Sequence, residues 1–190
     1  MEATAQTDSL VEQGVSATKV MVMEQPGEGP RVRMVLQQCM GAQLMVQPPD
    51  EGSPPQFVEI RRGLIIYICF LRGATKTLTE KMARTALTVR LSESDDGKLV
   101  SVLDLPGDVL IIPQATLGGT IKGKVMQYHK NIAKEEGLQL YSEFVSIFRK
   151  TYERNDKCQT TGTVVRYGTY GNRQVFSCQT NGPYTHLIEM

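Results

Sequence analysis

The clearest pattern in the chain is Leu64-Ile-Ile-Tyr-Ile-Cys-Phe-Leu71, an unbroken apolar run rich in β-branched residues. Such a run predicts a strand buried on both faces. Around it the periods alternate. Arg31 to Cys39 alternates as a strand, and Ala42 to Val46 reads as its hairpin partner or its continuation. Gln47 to Gln56 is a Pro-rich loop, and Phe57 to Ile60 is a short strand. From Thr75 to Arg90 the period becomes helical, with Leu78, Met82, Ala86 and Val89 on one face. Ser92 to Lys98 is a polar turn around Asp96-Gly97, and Pro106-Gly107 separates two strand-like segments, Leu99–Leu103 and Asp108–Ile112. A polar connection over Tyr128–Glu136 leads to a second helix, Leu138–Tyr152, that presents Leu138, Tyr141, Val145 and Phe148. Thr163–Tyr167, Gln174–Gln179 and Tyr184–Ile188 read as three closing strands. About seven strands and two helices predict an α+β domain: a barrel-like, largely antiparallel sheet with both helices packed outside.

Residues 1–30 show no period and end in Glu24-Gln-Pro-Gly-Glu-Gly-Pro30, which reads as a flexible extension before a single domain over 31–190. This extension lacks a signal-peptide apolar core and is acidic where a mitochondrial presequence is arginine-rich. No apolar stretch is long enough to span a bilayer, so a cytoplasmic protein without a membrane partner is expected. The 190 residues carry a net charge of +1, but residues 1–30 hold −4 of it, leaving +5 on the rest. That mild surplus suits a phosphate-bearing partner without requiring one. The four cysteines lack CxxC spacing, and neither a disulfide framework nor a metal site is expected.

Familiar catalytic sets are missing. His129 sits in a polar connection and His186 in a terminal strand, and neither pairs with a nucleophile and a carboxylate. Gly118-Gly-Thr-Ile-Lys-Gly-Lys124 has phosphate-loop spacing, but Val125 stands where Ser or Thr would hold magnesium. Its plainer reading is a glycine-rich loop that exposes Lys122 and Lys124. Two further stretches are polar where the apolar pattern breaks. Pro113-Gln-Ala-Thr-Leu117 follows the strand ending at Ile112, a place where polar groups often line a cleft. Thr180-Asn-Gly-Pro-Tyr-Thr185 reads, on spacing alone, as a turn.

Together these two stretches resemble the signature motifs of the D-aminoacyl-tRNA deacylase family, Ser-Gln-x-Thr-Leu after a buried strand and Gly-Pro-Val-Thr near the C-terminus. Met34-Val-Leu-Gln-Gln-Cys39, Arg62-Gly-Leu-Ile-Ile66 and Thr161-Gly162 resemble further family segments in the same order, so the likeness covers roughly 31–190. Pro113 stands where D-specific members have serine, Ala115 where they have phenylalanine, Gln38 where they have arginine and Tyr184 where they have valine. These departures resemble an animal branch. The resemblance implies a homodimer, with tRNA as partner rather than DNA. It also implies action chiefly on L-alanine misattached to threonine tRNA, with some D-aminoacyl-tRNA activity. In D-specific members the Gly-Pro peptide is cis and its carbonyls reach into the partner's pocket; in the animal branch it is trans and they turn outward.

The resemblance places catalysis at Gln114, Ala115 and Thr116 and substrate binding at Gly182, Pro183, Gln38, Asn181 and Thr185. Lys122 and Lys124 are expected to touch RNA phosphates. No cofactor is implied. Water, assisted by the ribose 2′-hydroxyl, would attack the ester while backbone N–H groups hold the oxyanion. Three rivals stay open: a deacylase restricted to D-aminoacyl-tRNA, a non-catalytic tRNA-binding protein, and a nucleotide-binding enzyme using Gly118 to Lys124.

Overall fold

A computed structural model describes residues 29–190. In chain order these form β1 (Val32–Cys39), β2 (Gly41–Gln47), β3 (Gln56–Ile60), β4 (Gly63–Phe70), α1 (Lys76–Thr88), β5 (Ser92–Glu93), β6 (Leu99–Val100) and β7 (Asp108–Pro113). A short 3₁₀ turn (Ala115–Gly118) precedes β8 (Thr120–Lys122) and β9 (Val125–Gln127). Then come α2 (Lys134–Glu153), α3 (Asp156–Thr161), β10 (Val165–Tyr167), β11 (Phe176–Gln179) and β12 (Thr185–Glu189). The extension expected over residues 1–30 lies almost wholly outside the described residues.

β4 is the centre, as its apolar run requires. It pairs antiparallel with β1 and parallel with β7 in a five-stranded sheet ordered β10-β7-β4-β1-β12. Side chains alternate along a strand, so β4 needs two covers. Leu64, Ile66, Ile68 and Phe70 meet Met82, Ala86 and Leu87 of α1 and Phe144 and Phe148 of α2. Ile65 meets Leu44 and Ile60 from a second sheet, ordered β11-β2-β3, and Tyr67 packs at its edge. The layers are helices, five strands, three strands.

The barrel expectation is corrected here. β10 and β12 are the two edges of the larger sheet, and among the described residues no sheet closes on itself. The largely antiparallel expectation is also corrected for this sheet, because β4–β7 and β7–β10 are parallel. The reason is connection length. Both pairs are joined by long crossovers that carry α1 and α2, as parallel pairing demands. Ala42–Val46 proves to be a continuation of the first strand into the second sheet, not its hairpin partner, since β2 pairs with β3 and β11. The three closing strands separate: β10 and β12 take the edges of one sheet and β11 joins the other.

Helix ends differ from the periodic reading. Thr75 caps α1, its side chain accepting from the Leu78 N–H. α2 starts four residues before Leu138, because its first turn carries only polar Lys134, Glu135 and Glu136 ahead of Gly137. Leu138 itself is exposed, and Phe144 takes the core position instead. α3 was not legible, being one polar turn capped by Asn155 and ended by left-handed Gly162. Leu99–Leu103 is strand only over its first two residues. Ser101 and Asp104 then close a turn, with the Ser101 hydroxyl donating to the Asp104 carboxylate at 2.6 Å.

Asp108 is the one buried carboxylate of the sheet, 2% exposed at the start of β7. It accepts from the Arg61 and Val164 backbone N–H groups and from the Arg61 guanidinium. Burial alone would raise its pKa, but these donors hold it below the usual value. The folded pKa is therefore depressed, so the stabilisation is present above the unfolded value of about 3.9 and is lost as pH falls toward the folded one. Asp108→Asn should lower stability by about 2 kcal/mol at neutral pH. In chemical denaturation, the gap between wild type and variant should narrow below about pH 4.

Candidate active site

Parallel pairing with β4 carries β7 to its last residue, Pro113, opposite Ile68. The next residue, Gln114, still donates its N–H to the Ile68 carbonyl at 2.9 Å. There the chain leaves the sheet and coils into the 3₁₀ turn. Gln114, Ala115 and Thr116 thus stand at the end of the most buried part of the sheet, on the rim of a cavity of about 610 Å³. Tyr67, Cys69, Phe70 and Ile112 form its floor, and Lys134, Tyr170, Asn172 and Phe176 close its sides. The Gln114 side-chain amide donates to Thr116 Oγ1 at 3.2 Å, while Ala115 and Thr116 remain exposed. Their N–H groups open the 3₁₀ turn, where helical geometry leaves donors unused.

Sequence reasoning missed Asn131. Its Nδ2 donates to the Ala115 carbonyl at 2.9 Å, tying the 3₁₀ turn to the segment before α2, and its Oδ1 is buried without a partner. Gly118 makes this fit possible. A Cβ there would fall 1.8 Å from Asn131 Oδ1 and 2.8 Å from Leu71 Cδ2. No local signal marks Asn131, because it acts through a fold contact 16 residues away.

The remaining predicted residues lie elsewhere in the same chain. Gln38 and Asn181 line a different cavity of about 460 Å³, beside Tyr184 and His186. Gln38 Nε2 donates to the Leu91 carbonyl at 2.7 Å. Its neighbour Gln37, which sequence reasoning did not select, is buried and reaches the Gly-Pro motif. Gln37 Nε2 donates to the Gly182 carbonyl at 3.4 Å, and the Thr185 hydroxyl donates to Gln37 Oε1. The Pro183 carbonyl accepts the Thr185 N–H at 3.1 Å. The Gly182–Pro183 peptide is trans. Gly182 has φ +149°, and a Cβ there would meet the Tyr184 ring at 2.8 Å, so glycine is required. Lys122 and Lys124 flank Gly123 in the β8–β9 hairpin, both exposed. The phosphate-loop spacing therefore makes a hairpin, with no helix N-terminus behind it to receive a phosphate.

The 610 Å³ cavity has no carboxylate or imidazole in its lining. Burial pushes the Tyr67 hydroxyl up to about 12, helped by nearby Cys178 and Cys39. Burial likewise pushes the Cys69 thiol up to about 11, against the Gly118 N–H and the charge of Arg33. Neither is a base or a thiolate near neutral pH. Among the described residues no group of His, Cys, Asp and Glu could hold a metal ion.

A scan of family models matches residues 35–189 to the D-Tyr-tRNA(Tyr) deacylase model. D-aminoacyl-tRNA deacylase 2 of Gallus gallus is 57% identical over 157 residues, covering 83% of this chain and 94% of that protein. A solved structure described as a probable eukaryotic D-amino acid tRNA deacylase superposes with a TM-score of 0.68 at 28% identity, covering 84% of this chain and 99% of that one. Another, described as a c-Myc DNA unwinding element binding protein, gives 0.69 at 26% identity, covering 83% and 98%. The fold is thus that of hydrolases that act on the ester bond of aminoacyl-tRNA. The chain belongs to the D-aminoacyl-tRNA deacylase family.

The thiol environments yield a direct check. Iodoacetamide near pH 7.5 should label exposed Cys178 while leaving Cys69 unlabelled in the folded protein. Mass mapping after digestion reads the sites. Early labelling of Cys69 would mean that the cavity floor is open and its thiol ionised.

Proposed function

We propose that this chain removes wrongly attached amino acids from tRNA, chiefly L-alanine from threonine tRNA, with some D-aminoacyl-tRNA activity. The observation that carries the L-alanine reading is the engagement of both motif carbonyls within their own chain, Gly182 with Gln37 and Pro183 with Thr185. Carbonyls so engaged are poorly placed to grip a substrate ammonium or to exclude an L side chain. The small Ala115 at the cavity rim adds room.

In this reading water attacks the ester carbonyl, assisted by the 2′-hydroxyl of the terminal ribose. The bond to the 3′-oxygen breaks, that oxygen takes a proton, and the free amino acid leaves. With no side-chain base lining the cavity, the protein contributes positioning and charge stabilisation. The N–H groups of Ala115 and Thr116 hold the oxyanion, Gln114 bonds the substrate or ribose, and Thr116 orients water. Gln38, Asn181 and Thr185 serve the substrate from a second copy in a homodimer, where Gly182 and Pro183 form the pocket wall without their carbonyls gripping the ammonium. Their distance from the Gln114–Thr116 cavity within one chain favours that arrangement. Lys122 and Lys124 meet RNA phosphates. Residues 31–190 act as one domain, in the cytoplasm, on tRNA rather than DNA.

A deacylation time course on one tRNA carrying L-alanine, D-alanine or D-tyrosine tests this. Rapid loss of L-alanine is expected. Loss of only the D-amino acids would overturn the L-alanine reading, and survival of all three would favour a tRNA-binding protein without turnover. One methyl is worth about 1–3 kcal/mol in a pocket, so glycine should be removed at a rate within roughly a hundredfold of alanine. Light scattering should give about 42 kDa, twice the 21.1 kDa chain.

A further inference from the structure

Besides the two cavities described above there is a third concave surface, about 480 Å³, just past the C-terminal end of β4. Arg31, Arg33, Arg72, His129 and Lys130 line it, and no carboxylate does. Residues 31–190 carry a net charge of +5, and Arg31, Arg33, Arg72 and Lys130 gather four of their cations in this one cleft. Three segments bring them together through backbone hydrogen bonds. The Leu71 N–H donates to the Arg31 carbonyl at 2.7 Å, and the Arg72 N–H donates to the Lys130 carbonyl at 2.8 Å. Arg33 forms the inner wall, committed to Glu189 and to the Leu117 carbonyl. Arg31 donates to the Gly73 carbonyl. Arg72 and Lys130 are exposed and bridge no carboxylate among the described residues.

This cleft adjoins the candidate active site. Phe70 and Asn131 line the cavity of about 610 Å³, the first of the three, while their chain neighbours Leu71 and Lys130 line the cleft. Gly118, at the end of the 3₁₀ turn that carries Thr116, lines the cleft as well. A substrate whose terminal nucleoside occupies the first cavity trails a phosphodiester chain, and the adjoining cleft offers that chain a wall of cations. We propose that this cleft is a phosphate track that receives the single-stranded 3′ end of tRNA, with Arg72 and Lys130 as its contacting residues. The proposal rests on the tRNA reading of the first cavity and extends it to residues outside the family motifs.

The test is binding of uncharged tRNA ending in CCA to the full chain, measured across salt concentrations. Two lost contacts to single-stranded phosphates should lower the slope of log K against log salt by roughly 1.4. Arg72→Ala with Lys130→Ala is therefore expected to flatten the slope by about that amount and to weaken binding tenfold or more at low salt. Arg72→Lys with Lys130→Arg should keep the wild-type slope. The L-alanyl ester of adenosine, which fills only the first cavity, should be hydrolysed at the wild-type rate by both variants. An unchanged slope in the alanine pair would overturn the track. So would loss of adenosine-ester hydrolysis in that pair, because the residues would then belong to the site or the fold. If wild type hydrolyses neither this ester nor L-alanyl-tRNA, the deacylase reading fails, while a flattened slope would still uphold the cleft as a phosphate site.

Discussion

The structure depends on one constraint: β4 is apolar on both faces, so both must be covered. One cover comes from α1 and α2, the other from the β11-β2-β3 sheet. The helical cover is what permits parallel neighbours, since each helix rides on a crossover that returns the chain in the same direction. β7, held parallel to β4 and wholly buried until its last residue, must release the chain at a fixed edge of the molecule. Gln114 to Thr116 occupy that edge. The turn proposed as the reactive one is therefore placed by core packing and not by any interaction of its own side chains.

The same constraint explains what the site lacks. A cavity floored by β4 inherits its apolar residues, and the Tyr67 hydroxyl and Cys69 thiol set among them are driven away from ionisation. Such a place suits the chemistry proposed above, which draws on substrate, water and backbone. The 3₁₀ turn suits that role, because it offers N–H donors whose direction is fixed by Asn131 below and by the Gln114 N–H bond to β4.

Much of this was legible in the residues. The period of Leu64–Leu71 revealed the doubly buried strand, and the helical spacing after Thr75 revealed α1. Short strands were placed to within a few residues wherever apolar alternation marked them. What failed was global. Strand direction and sheet closure are set by crossovers, not by local period, so a barrel and an open mixed sheet look alike in sequence. α3 and the first turn of α2 are polar, and Leu138 followed the right period from the wrong starting residue. At the site, Pro113-Gln-Ala-Thr-Leu117 stood out because polarity interrupts a buried strand. Gln37 and Asn131 did not, because each acts on a carbonyl far along the chain, 145 and 16 residues away.

The floor of the cavity has a consequence for survival under oxidative stress. Peroxide attacks thiolates, not thiols. With its pKa pushed up to about 11, Cys69 holds only roughly one part in ten thousand as thiolate at neutral pH. A sulfur directly beneath the 3₁₀ turn is thus kept from becoming a sulfenic acid, which would swell and polarise the floor. Exposed Cys178 stands on β11, whose Phe176 reaches the cavity side. The chain can meet oxidant first at that outer thiol, while the inner one stays reduced.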